Sequence, residues 1–226
     1  MAGRPPRWLY PLVFVVSLTP FLYIAAALAS DFFRGTRYLG SNPIKEAEHF
    51  SGEMTMRMLL ISLCISPAVK TLRAGWLIRY RRTFGLFAFF YVCIHLSIYA
   101  VLDVELNWAD LVADVTKRLY ITLGMAAFLL LVPLAVTSTK GWIRRLGSAR
   151  WNWLHRAVFG TVVLGMIHYF MAVKKDITDP LIFAALFALL FGWRIREARR
   201  RAVARSVVRQ PVEGDVPLSE LSRVKK

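Results

Sequence analysis

The chain has 226 residues, 57% of them apolar, a mean hydropathy of +0.47 and a formal net charge of +16. Soluble domains carry about 45–50% apolar residues broken up by polar faces; here they come in long unbroken blocks, which excludes an ordinary soluble domain. The positive charge is spread over several short segments, so it marks topology rather than a nucleic-acid surface, and no nucleic acid is expected as a partner.

In chain order the apolar blocks are Leu9–Ala29, Met54–Leu72, Phe84–Leu102, Leu119–Thr137, Trp153–Val173 and Ile177–Trp193. Each has the length, about 17–21 residues, that a helix needs to cross a bilayer. Pro20, Pro67, Gly124, Pro133 and Gly165 fall inside them, where membrane helices tolerate such residues. The first block is longer than a signal-peptide core, and it reads as a retained span rather than a cleaved leader. The expected fold is all-α: a polytopic membrane bundle of six transmembrane helices. It divides into a cytoplasmic N-terminus (1–8), a transmembrane domain (9–195) and a basic, disordered cytoplasmic tail (196–226).

Orientation follows from the charges. The N-terminus, the Lys70–Arg82 and Lys140–Arg156 segments and the tail hold 22 of the 30 Lys and Arg, and four of the 14 Asp and Glu. The positive-inside rule therefore places both termini in the cytoplasm. The arginine run from Arg194 to Arg209 reads as an anchor to anionic lipid head groups or a docking surface for an acidic partner. Cys64 and Cys93 lie inside spans as small hydrophobes. No Cys-x-x-Cys-His occurs, which excludes covalently attached c-type haem. Nucleotide-binding glycine motifs and the His-Glu-x-x-His zinc motif are absent too.

Histidines within apolar blocks carry the functional signal, because imidazole is costly in lipid unless something there uses it. His155 and His168 are thirteen residues apart, about 20 Å along one helix, so they belong to opposite membrane faces. His95 falls in the outer half of the third span, at the depth of His168. Two imidazoles facing each other across a bundle suit the axial positions of a b-type haem. His155 has no histidine at its own depth; Arg81, fourteen residues before His95, is level with it. Arg81 and Arg82 read as positive-inside anchors, as partners for haem propionates, or, for one of them, as an unusual ligand beside His155. His49 reads as a solvated loop residue, and no Asp or Glu is expected within the membrane. A haem-free transporter or scaffold would use the same histidines for packing or proton relay.

Several short motifs add a resemblance. They are Asn42-Pro43, Arg81-Arg82-x-x-Gly85-Leu86, Tyr91-x-x-x-His95, Lys117-Arg118-x-Tyr120-Ile121-Thr122 and Thr137-Ser138. Leu146-Gly147-x-x-x-Trp151-x-x-Leu154-His155-Arg156, followed by His168, completes the set. In order and spacing, over residues 8–195, they resemble the MsrQ (formerly YedZ) family. These are haem-binding membrane subunits of bacterial periplasmic methionine-sulfoxide reductases, within the ferric-reductase-like transmembrane superfamily. The resemblance implies an inner-membrane electron-transfer subunit with one or two b haems, and FMN has also been linked to the family. Electrons would come from a cytoplasmic flavin reductase or the quinol pool. They would pass to a periplasmic molybdopterin subunit that itself reduces methionine sulfoxide. The resemblance carries haem-associated roles over to His95, His155 and His168, and Arg81 stands where many relatives have a fourth histidine. A stand-alone ferric-chelate or quinone reductase of the same superfamily is the rival reading.

Overall fold

The structure, a computed structural model, describes residues 6–173 and 176–209, with side chains as far as Ala204. Residues 210–226 of the tail lie outside the described residues. Every described element is helical, the form in which a chain crossing lipid satisfies its own backbone groups. The helices are α1 (Leu9–Arg34), α2 (Pro43–Thr71), α3 (Ile78–Ser97), α4 (Trp108–Lys117), α5 (Leu119–Val136), α6 (Lys140–Leu154), α7 (Ala157–Ala172) and α8 (Thr178–Arg209). A 3-10 turn (Gly75–Leu77) leads into α3, and a π-helical segment (Ile98–Asp103) continues it. Among the described residues, five helical stretches are long and apolar enough to cross a membrane. Helices α6 and α7, bent by 42° at the break between them, meet that test together and make a sixth.

Local chemistry sets the helix limits. Asn42 caps α2 by accepting from the Lys45 amide at 3.2 Å, and Pro43 takes the first position, where its missing N–H costs nothing. That cap starts α2 eleven residues before the apolar block, so His49 lies on a helix and not in a loop. Gly35, at φ 64°, ends α1 in the left-handed conformation. The outer segment after Asp103 holds a further helix, α4, capped by Asn107. The fifth span is shorter than the apolar run: α7 begins at Ala157, and residues 153–156 form the end of α6 and the break. The tail was expected to be irregular from residue 196, but α8 continues to Arg209. Arginine and alanine are good helix formers, and Glu197 and Arg201, one turn apart, pair at 3.2 Å.

The chain divides into two compact units, one ending at Phe187 and the other starting at Ala188. Within the first, α2 packs along α3 and α5 along α7, and smaller contacts of α3 with α5 and α2 with α7 join the two pairs. Helix α1 is held to α3 by Tyr91, whose buried hydroxyl donates to the Ser17 carbonyl at 2.7 Å and accepts from the Phe21 amide at 3.2 Å. These groups flank Pro20, which has no N–H to offer the helical ladder. Tyr91→Phe leaves two buried backbone groups short of a partner, and we expect it to lower stability by about 1–3 kcal/mol, read from thermal unfolding in detergent.

Candidate functional site

His95 on α3 and His168 on α7 meet at one end of the two helix pairs. Their ring centres are 6.2 Å apart and their planes near perpendicular, at 81°. Both line a cavity of about 380 Å³, within the roughly 300–1,000 Å³ of small-molecule and cofactor sites. Its body is apolar, formed by Met56, Leu59, Val92, Leu96, Phe128 and Leu131. The depth match expected from sequence is thus realised as direct proximity.

Each ring is braced by its own pair partner. His95 Nδ1 lies 2.9 Å from the Glu48 carbonyl on α2, and His168 Nδ1 lies 2.7 Å from the Tyr120 carbonyl on α5. A carbonyl oxygen only accepts, so Nδ1 carries the proton in both rings and Nε2 keeps its lone pair. Two imidazoles sharing one metal through bonds of about 2 Å, with about 1 Å more from nitrogen to ring centre, stand about 6 Å apart. The observed 6.2 Å fits.

The two carbonyls share a feature that the sequence analysis passed over. Gly52 follows Glu48 by four residues, and Gly124 follows Tyr120 by four. A helical side chain leans back over the preceding turn, so glycine there leaves the carbonyl open to a ring from the next helix. A Cβ on Gly52 would stand 3.4 Å from His95 Nδ1, and one on Gly124 only 2.8 Å from His168 Nδ1. Glycine inside a helix costs about 1 kcal/mol relative to alanine, and that cost was the available signal.

The cavity mouth is polar, with Lys45, Glu48, His49, Glu53, Asp103 and Arg118. Carboxylates therefore border the site, Glu48 and Glu53 because α2 extends further than its apolar block and Asp103 from the end of the π-helical segment. Lys45 pairs with Glu48 at 3.0 Å and Asp103 at 2.8 Å. Two tyrosines of the lining are tied into matching triads. Tyr169 donates to Glu53 (3.0 Å), which pairs with Arg57 (2.8 Å); Tyr99 donates to Asp114 (2.8 Å), which pairs with Arg118 (3.0 Å). Arg118, outside the spans, has its pKa pushed up by the Tyr120 hydroxyl and the Asp114 carboxylate.

His155 and Arg81 are elsewhere. Neither lines the cavity. His155 lies at the break between α6 and α7, with Nε2 3.1 Å from the Thr137 hydroxyl and the Trp151 ring stacked on it at 3.8 Å. Arg81 is close enough for its charge to act on His155, so the two share a level, as their spacing predicts.

Residues 51–166 match the family described as "Ferric reductase like transmembrane component". A relative from Caulobacter vibrioides, named "Protein-methionine-sulfoxide reductase heme-binding subunit MsrQ", is 45% identical over 194 residues, covering 85% of this chain and 89% of its own length. A relative of the same name from Rhodospirillum rubrum is 49% identical, covering 84% of this chain and 88% of its own. A third, from Xanthomonas campestris pv. campestris, is 44% identical over 76% and 79%.

The chain belongs to the MsrQ family.

Family membership and the six apolar stretches together make it a multi-pass membrane protein. The arrangement around His95 and His168 suits a flat metal complex taking one imidazole on each side. It rests on two glycines that differ in how closely they are approached. We expect Gly124→Ala to cost about 1–3 kcal/mol through overpacking against His168, and Gly52→Ala, in ordinary contact, clearly less. Thermal unfolding of the two variants in one detergent compares them.

Proposed function

We propose that this chain is the b-type haem subunit of a periplasmic methionine-sulfoxide reductase system. It carries electrons across the bacterial inner membrane, from a cytoplasmic flavin reductase or the quinol pool, to a molybdopterin-containing reductase on the outer side. The observation that carries the reading is the His95/His168 pair, 6.2 Å apart at one cavity. The relatives' printed name supports both haem binding and the methionine-sulfoxide system. The positive-inside distribution supports an orientation with this pair toward the periplasm.

When bound, haem supplies a one-electron change between ferric and ferrous iron. The protein's residues do the rest. Nε2 of His95 and of His168 would hold the iron. The Glu48 and Tyr120 carbonyls fix both rings in the competent tautomer and raise their basicity through the Nδ1–H bonds. The apolar lining would exclude water from a bound haem, and with the imidazoles it would tune the potential. Methionine sulfoxide is not reduced here; the chain's task ends at delivering electrons to its partner.

Protein purified from haem-replete cells should show a b-type Soret band, with an α band that sharpens on reduction. His95→Ala and His168→Ala should each remove that spectrum at unchanged yield. A wild-type chain lacking the bands, or both variants retaining them in full, would sink the reading.

A further inference from the structure

Helix α4 takes up ten of the residues between the span that ends at Asp103 and the span that begins at Leu119. Two consecutive spans receive their connecting segment on one side of the membrane, so α4 is tethered to the same boundary at both ends. The tethers are short. Residues 104–107 fold back on the π-helical segment, with the Leu106 amide bonded to the Ala100 carbonyl at 2.8 Å and the Asn107 amide to the Val104 carbonyl at 2.9 Å. At the other end Arg118 alone separates α4 from α5. A helix of this length measures about 15 Å, and it is held down at both ends.

At about 100° per residue, the side chains of α4 fall into three sectors. Leu111, Asp114 and Val115 form the first and are half-buried against the protein. From it Asp114 accepts from the Tyr99 hydroxyl at 2.8 Å and pairs with Arg118 at 3.0 Å. Asp110 and Lys117 stand on the second sector, both exposed. Trp108 and Val112, one turn apart and opposite that charged pair, form the third, and they are 74% and 62% exposed.

The charged sector has to meet water, which turns the Trp108 and Val112 sector away from it. In sequence this apolar stripe runs on to Leu119, 62% exposed at the start of α5, whose Leu129 and Val136 are exposed along the same span. The exposed apolar surface of a crossing helix faces lipid, and indole rings collect at the level of the head groups.

We propose that α4 is an interfacial helix, seated in the lipid boundary by Trp108 and Val112, and that this seating braces the rim of the His95/His168 cavity. The brace is Asp114, since both of its partners, Tyr99 and Arg118, line that cavity. The proposal stands on the membrane topology alone and does not depend on what the cavity holds.

The test uses the full chain in phosphatidylcholine nanodiscs. Spin labels are placed at Val112→Cys and at Asp110→Cys, each in a background of Cys64→Ala and Cys93→Ala. Oxygen, which concentrates in acyl chains, should relax the label at 112, and a water-soluble nickel chelate should not; the label at 110 should respond the other way round. Equal access of the chelate to both positions would overturn the proposal and leave the face open to a protein partner. Shielding of position 112 from both reagents would overturn it as well, because a second copy or another protein would then cover the face. Brominated acyl chains give a second readout with the native cysteines in place: fractional quenching of indole fluorescence should be smaller in Trp108→Phe than in wild type, and no difference would count against the seating. Val112→Asp and Asp114→Ala should each lower the thermal unfolding midpoint, and the double variant should lie no lower than the worse single one, as both release the same contacts. Full additivity would refute the brace.

Discussion

An N–H in hydrocarbon has no water to turn to, and leaving it without an acceptor costs several kcal/mol. This constraint governs the two histidines at the cavity. A helical carbonyl already bonded within its own helix has a second lone pair to give, but the side chain four residues on normally covers it. Gly52 and Gly124 uncover it at Glu48 and Tyr120, and His95 and His168 take the exposed oxygens. Much of the arrangement follows from those two bonds. They match each histidine helix to its partner, fix which ring nitrogen stays basic, and leave both rings beside one cavity.

The same solvation logic explains the polar groups around the cavity. Its lining brings together an amine, a guanidinium and carboxylates, and each of its three acids has a partner: Glu48 and Asp103 in Lys45, Glu53 in Arg57 and Tyr169. Surface ion pairs of this kind add little stability each, but Lys45–Asp103 ties α2 to the π-helical segment, and the Tyr169 and Tyr99 hydroxyls tie α7 to α2 and that segment to α4. At the other end, Thr137, Trp151 and His155 satisfy one another within a single cluster. The chain therefore treats its intramembrane histidines in two ways, one that spares Nε2 and one that consumes it.

Much of this was legible from the residues in order. Six apolar blocks gave six membrane-crossing stretches, since the length needed to cross lipid is set by the bilayer and not by tertiary contacts. The shared depth of His95 and His168 followed from counting residues along helices of fixed rise. Less legible were features that depend on capping and packing. The early start of α2 rests on Asn42 and Pro43, weak signals beside a stretch of mixed polarity, and it moved His49 and two glutamates onto a helix at the cavity. The helix after Asp103 was hidden by its acidic residues, and the extension of α8 by its density of arginine.

The sequence by itself determined the solvent in which this protein folds, the number of crossings and the level of each histidine. Those depend on local hydropathy, charge and helical rise, which each segment carries with it. Which histidines pair, which nitrogen each leaves basic, and the difference between His168 and His155 were decided only in three dimensions. Both of those histidines sit in the same apolar run. What separates them is the acceptor or hydroxyl that another helix brings within 3.1 Å, and no single segment encodes that meeting.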